Sequence, residues 1–159
     1  MGEHCSISPG AIITDPDYVR MGNNVRLSEC TLFGHDGSVN MVNRAVGATF
    51  DAVGPIVIGN NVFIGHGAIV LPNTTIGDNV IIGAGAVAKG AIEGGFVYVG
   101  SPLRAVSSFD QHVAKLEHAY AGLPDEWITI LRQRGAEFDP SVEPRLGELR
   151  RKFFFGADG

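Results

Sequence analysis

The chain has 159 residues, a formal charge of -5, 45% hydrophobic residues and only 18% charged ones. That length suits one domain of ordinary size with a small appendage, the acidic balance excludes a nucleic-acid binder built on a basic stripe, and no apolar run approaches the roughly 18 residues of a membrane span. Cys5 and Cys30 lack CxxC or metal-ligand spacing and read as small buried or half-buried thiols of a reducing compartment; MGEHCSISPG carries neither a secretion signal nor an organelle address, so the cytoplasm is the expected location.

The 22 glycines are consumed by a repeat. It begins loosely at Ile7-Ser-Pro-Gly-Ala-Ile and Met21-Gly-Asn-Asn-Val-Arg, and continues through Leu27-Ser-Glu-Cys-Thr-Leu and Phe33-Gly-His-Asp-Gly-Ser. Between Val39 and Val53 the register vanishes, which predicts a loop thrown out over residues 39–53; long loops in compact domains are usually functional or disordered. From Ile58 the register is strict: Ile58-Gly-Asn-Asn-Val-Phe, Ile64-Gly-His-Gly-Ala-Ile, Val70-Leu-Pro-Asn-Thr-Thr, Ile76-Gly-Asp-Asn-Val-Ile and Ile82-Gly-Ala-Gly-Ala-Val. The first position is always Ile or Val, the second is Gly except at Leu71, and the fifth is small or β-branched.

A six-residue unit with an aliphatic first position is a short strand followed by a corner, and three units close a triangular coil. Stacked coils pair as parallel strands about 4.8 Å apart. The first-position side chains point inward, the narrow interior keeps the fifth position small, and glycine serves corners where a Cβ would strain the backbone. An antiparallel meander does not keep a six-residue register over about thirty residues. The coils continue loosely to Phe96-Val-Tyr-Val and stop at Gly100-Ser-Pro.

From Ser107 the pattern turns helical. Phe109, Val113, Leu116 and Tyr120 form one apolar face, with Ser107 or Ser108 as N-cap, and Gly122-Leu-Pro ends it. A second helix is predicted from Asp125 to about Arg134, and a third carries Leu146, Leu149 and Phe153 to Phe155. The fold class is therefore mainly β, a parallel β-helix over residues 1–106 with a helical extension over 107–159. Capping the open solenoid end and docking on a neighbour are the expected tasks of that extension.

Three segments resemble the hexapeptide-repeat acyltransferases, in particular the branch with galactoside, maltose and xenobiotic acetyltransferases and polysaccharide O-acetyltransferases. They are Gly54-Pro-Ile-Val-Ile-Gly-Asn-Asn-Val-Phe-Ile-Gly, then Leu71-Pro-Asn-Thr-Thr-Ile-Gly-Asp-Asn-Val-Ile-Ile-Gly-Ala-Gly-Ala-Val, and the exit Gly100-Ser-Pro-Leu-Arg. The resemblance implies a left-handed coil, against the usual right-handed crossover, and a homotrimer with active sites between subunits. It also implies acetyl-CoA as co-substrate with no permanently bound cofactor, and an extended loop reaching the adjacent subunit.

Acyl transfer from a thioester needs the attacking hydroxyl or amine deprotonated as it attacks, work suited to a histidine. By the resemblance, His35 is the general base, some twenty residues upstream of the Gly54-Pro-Ile re-entry. Asp36 is the adjacent carboxylate, for the base or the substrate, although neighbouring side chains of a strand point to opposite faces, and it can instead serve the corner. Asp17 matches a carboxylate that helps bind a sugar acceptor, with a turn before Tyr18 as its structural alternative; the matching acceptor asparagine has no counterpart near Ser8 to Gly10. For CoA, the matches are His66 and Ala84 through their main chain, where an amide can stabilise an oxyanion, and Lys89, Gly90 and Arg104 at the phosphate and adenine end. Lys89 stands one place before the usual lysine, and it and Arg104 also read as solvated surface charges.

Two other classes were weighed. A γ-type carbonic anhydrase needs three histidines around zinc, and only His35 and His66 lie in the repeats, so no metal is expected. A β-helix scaffold without catalysis would lack the histidine, the loop and the terminal cation, and all three are present. The acceptor stays open among a polysaccharide hydroxyl, a nucleotide-linked amino sugar and a xenobiotic alcohol.

Overall fold

Six residues suffice for one short strand and one corner, and the register read in the sequence becomes a stack of such units. The computed structural model describes residues 1–156. They fall into two compact units, Met1–His112 and the segment from Val113 onward.

The first unit winds through β1 (Ser6–Ile7), β2 (Ile12–Ile13) and β3 (Val19–Met21), then β4 (Val25–Leu27), β5 (Thr31–Leu32) and β6 (Ile56–Ile58). Two further coils follow, β7 (Val62–Ile64), β8 (Ile69–Val70) and β9 (Thr74–Ile76), then β10 (Val80–Ile82), β11 (Val87–Ala88) and β12 (Ala91–Ile92). Every third strand pairs in parallel, giving three sides: β1-β4-β7-β10, β2-β5-β8-β11 and β3-β6-β9-β12. This is a left-handed parallel β-helix. β13 (Phe96–Val99) begins another turn, and β14 (Arg104–Ser108) folds back antiparallel upon it. That strand departs from the expectation of helix from Ser107: a hairpin partner follows no six-residue register and leaves no trace in the repeat.

Ile58, Ile64, Val70, Ile76 and Ile82 at the first position are buried, as are Val62, Ala68, Thr74, Val80 and Ala86 at the fifth. They stack on their equivalents one coil away, Leu27 on Ile64 on Ile82 and Leu32 on Val70 on Ala88. Thr74 is the one buried polar residue of this core, and its hydroxyl donates to the Leu71 carbonyl at 2.6 Å, which removes the penalty of an unpaired group.

The corners divide their demands between two residue types. Left-handed backbone falls to asparagine along one edge, where Asn24, Asn61 and Asn79 have φ of 54°, 56° and 57°, and to glycine along another, at Gly67 and Gly85 with φ of 67° and 69°. The asparagine side chains form a ladder along their edge, Asn24 Nδ2 donating to Asn61 Oδ1 and Asn61 Nδ2 to Asn79 Oδ1, each at 2.9 Å. The second-position glycines answer a different need, the closeness of the next coil. A Cβ on Gly65 would stand 2.7 Å from the Ala84 nitrogen, and one on Gly59 2.3 Å from Asp78 Oδ1.

The excursion between β5 and β6 differs from the loop expected over residues 39–53, because α1 (Ser38–Val46) occupies much of it. Val39 and Val42 give that helix a half-buried stripe, and Gly47 closes it at φ 68°. Asn43 then holds the returning chain through two 2.8 Å bonds to the Phe50 backbone.

α2 (Phe109–Ala121) starts at Ser108, whose Oγ accepts from the Gln111 N–H at 3.1 Å while Gln111 Oε1 accepts from the Ser108 N–H at 3.0 Å. α3 (Asp125–Arg134) has the predicted bounds, and α4 (Glu143–Phe155) packs on it through buried Trp127 and Leu146.

Two substitutions, with a third as control, separate these constraints in a urea titration. Gly65→Ala is expected to lower the unfolding free energy by roughly 1–3 kcal/mol, as overpacking does, and Ile64→Ala by about 2–5 kcal/mol. Gly37→Ala, whose Cβ meets nothing within 4 Å, is expected to stay within about 0.5 kcal/mol of the parent in the same urea titration.

Candidate active site

His35 stands just beyond β5, where the chain leaves the coil. The ends of the excursion are zipped together there: His35 pairs with Val53 in an antiparallel bridge, the Asp36 N–H donates to the Ala52 carbonyl, and the Gly54 N–H donates to the Gly34 carbonyl, the last two at 2.8 Å. The backbone at His35 is therefore fixed on both sides, while its side chain remains 43% exposed.

The imidazole is held by Asp15. His35 Nδ1 lies 2.6 Å from Asp15 Oδ2. The same oxygen accepts from the Thr14 hydroxyl at 2.6 Å and from the Gly34 N–H at 3.2 Å. The Thr14 hydroxyl, then the contact with His35, hold the Asp15 carboxyl below its usual range. An ionised carboxylate only accepts, so Nδ1 must carry the proton and Nε2 presents its lone pair. Gly34 makes the approach sterically feasible, since a Cβ there would come 2.6 Å from Asp15 Cβ.

The contact follows from coil stacking. β2 pairs with β5 so that Ile13 faces Leu32. Two residues further along each path lie Asp15 and Gly34, and His35 follows. That offset is the signal the sequence carries for Asp15, in place of the adjacent Asp36. Asp36 instead accepts from the Ser38 N–H at 3.0 Å and starts α1; the Ser38 side chain, then this backbone bond and the positive charge of Lys89, hold its carboxyl below the ordinary pKa. The carboxylate on Nδ1 is Asp15, not Asp36.

A groove of about 600 Å³ opens beside the imidazole, lined by His35, Asp36 and Lys89 together with Val53, Pro72 and Asn73. Lys89 sits two coils above His35 on the same edge, about 10 Å along the axis at the strand spacing. Gly90 follows it with φ 80°, and its carbonyl accepts from the Thr75 N–H. Asp17 lies in the 3-10 turn Pro16–Tyr18 and lines an adjoining hollow of about 280 Å³ with Tyr18, Arg20 and Pro55; Val53 forms part of both walls.

The other expected residues lie elsewhere. His66 and Ala84 stack one coil apart on the edge between the β1 and β2 sides, whereas His35 is on the edge between the β2 and β3 sides. His66 Nδ1 is 3.5 Å from Glu29 Oε2, and neither the His66 nor the Ala84 N–H donates to an acceptor among the described residues. Arg104 is exposed on β14. The chain thus gathers His35, Asp36 and Lys89, adjoins Asp17, and separates them from the His66–Ala84 corner by a full side of the prism.

Comparisons with known proteins agree with this architecture. Residues 55–90 match the family of bacterial transferase hexapeptide (six repeats). Protein CapG of Staphylococcus aureus is 34% identical over 120 residues, 73% of this chain and 69% of that protein. Among solved structures, a maltose O-acetyltransferase from Clostridium difficile 630 superposes with a TM-score of 0.55 and 26% identity over 68% of each chain. A galactoside acetyltransferase solved with coenzyme A shares the fold, with a TM-score of 0.50 and 24% identity over 70% of this chain and 65% of its own. With its six-residue register, its β-helix and a relative of this identity and coverage, the chain belongs to the hexapeptide-repeat acyltransferase family.

Proposed function

We propose that this protein transfers an acetyl group from acetyl-CoA to a hydroxyl or amino group of a carbohydrate-type acceptor, with His35 as general base and Asp15 as its positioning residue. The observation that carries this reading is the 2.6 Å contact between His35 Nδ1 and Asp15, which leaves Nε2 free beside an open groove. Nε2 takes the proton of the acceptor as its oxygen or nitrogen attacks the thioester carbonyl. The C–S bond then breaks, and the departing thiolate recovers a proton from Nε2–H. The carboxylate stabilises the imidazolium formed between these steps.

A backbone N–H at the His66–Ala84 corner is suited to the oxyanion, since both residues are exposed and neither N–H has an acceptor among the described residues. That corner and His35 occupy different edges of one protomer, so a site using both takes its second half from another copy. A homotrimer closes such a ring of interfaces. Met41, Val46 and Phe50 on the excursion are exposed apolar side chains suited to such a contact. Lys89, two coils above the base, is the cation for the phosphate end of CoA. The carbohydrate acceptor rests on the likeness to the maltose O-acetyltransferase and on Asp17 in the hollow beside the groove.

Thiol release from acetyl-CoA in the presence of a panel of sugar acceptors tests this assignment. His35→Ala is expected to lower kcat by about 10² to 10⁴ fold without changing the oligomer seen by size exclusion; undiminished turnover would sink the assignment. Lys89→Ala is expected to raise KM for acetyl-CoA roughly tenfold, with a smaller effect on kcat.

Asp15→Asn is expected to lower kcat and also to leave a signature in stability. A carboxyl whose native pKa lies below its ordinary value of 3.8 contributes stability that is complete above that value and is lost as pH falls through the native one. The destabilisation by Asp15→Asn in urea is therefore expected at about pH 6 and should shrink as the pH is taken below the ordinary carboxylate range.

A further inference from the structure

The helical unit carries a feature that acyl transfer does not use. α4 ends in Arg150-Arg151-Lys152-Phe153-Phe154-Phe155. Three consecutive residues at about 100° each sweep most of a helix circumference, so no single face of α4 can bury all three rings. They remain 47%, 63% and 74% exposed in chain order. Phe153 and Phe154 meet Trp127 edge to face at 5.7 and 6.3 Å, and Phe153, Phe154 and Phe155 contact one another in sequence. The rings form a braced aromatic tip.

The cations behind the tip divide into two groups. Arg134 and Arg150 both bind Glu143, and Arg145 binds Glu126 and Glu148. The Arg134–Glu143 and Arg145–Glu126 pairs join α3 to α4, and the other two lie within α4. Arg151 and Lys152 are exposed and have no carboxylate partner among the described residues. On a chain of formal charge -5, α4 itself carries four cations against two carboxylates.

Free cations immediately behind exposed aromatic rings match the layered chemistry of an anionic bilayer, where phosphates lie outside and the acyl boundary lies beneath. No helix of the described residues is long and apolar enough to cross a membrane, and a tip of this kind would enter only the interface. We propose that α4 docks this protein on anionic lipid surfaces, with Phe154 and Phe155 entering the headgroup boundary and Arg151 and Lys152 binding lipid phosphates. The charge pattern fits this occupant, which presents phosphates and an apolar boundary in one layer; a second copy offers the apolar groove of α2 at Leu116, Tyr120 and Leu123, with Glu117 as the one carboxylate lining it against two cations.

The test is co-sedimentation of the full chain with vesicles of phosphatidylglycerol and phosphatidylcholine, beside vesicles of phosphatidylcholine alone. Binding is expected only to the anionic vesicles and should fall as salt is raised. R151E/K152E should weaken partitioning by about fivefold or more per charge changed. F154S/F155S should weaken it about tenfold. Both variants should keep the circular dichroism of the parent and its turnover with a soluble acceptor. No binding to the anionic vesicles, equal binding to neutral ones, or indifference to both variants would overturn the proposal. So would a change of oligomeric size in F154S/F155S, since the tip would then be an interface between copies.

Discussion

Each coil of this protein lies one strand spacing above the last, and that fixed separation governs everything else in the first unit. It admits side chains inside only where small and large alternate, so Ile64 stacks on Ile82 while Ala68 and Ala86 keep the corner narrow. It forbids a Cβ on Gly65 and Gly59, and it sets asparagine amides one hydrogen bond apart on the edge of Asn24, Asn61 and Asn79. Burial, backbone pairing and the side-chain ladder all repeat with the same step, so satisfying one register satisfies the others.

The candidate dyad is a product of the same stacking. Asp15 and His35 belong to successive coils and meet because β2 and β5 are in register. The carboxylate is fixed by Thr14 and by the Gly34 N–H, which are themselves parts of the two coils. An imidazole held this way has its orientation set before any ligand arrives, because its partner is part of the scaffold.

Much of this was legible in the sequence, for a reason particular to solenoids. Ile58, Ile64, Val70, Ile76 and Ile82 announce the core because each coil repeats the environment of the previous one. α3 was equally clear, with Pro124 before it and Gly135 after it. Asp15 was not. Its role depends on which residue lies one coil away, and the early coils depart from the strict six-residue count. α1 was hidden because the break in the six-residue register reads as a loop, although Val39, Val42 and Val46 recur at helical spacing within it. β14 was hidden because an antiparallel return owes nothing to the repeat. The second-position glycines were visible but attributed to strained backbone, when most answer to the neighbouring coil.

The closed neck of the excursion has a consequence for how such a protein diversifies. The backbone bonds at Gly34, Asp36, Ala52 and Gly54 complete the path of the coil whatever the chain does between them. The neck works as a socket: material fitted between Gly37 and Asp51 can be lengthened, shortened or exchanged while the imidazole and its carboxylate stay in place. One half of the surroundings of His35 is thus fixed by geometry and the other is free to vary. A new insert then reshapes one wall of the groove on an unchanged scaffold.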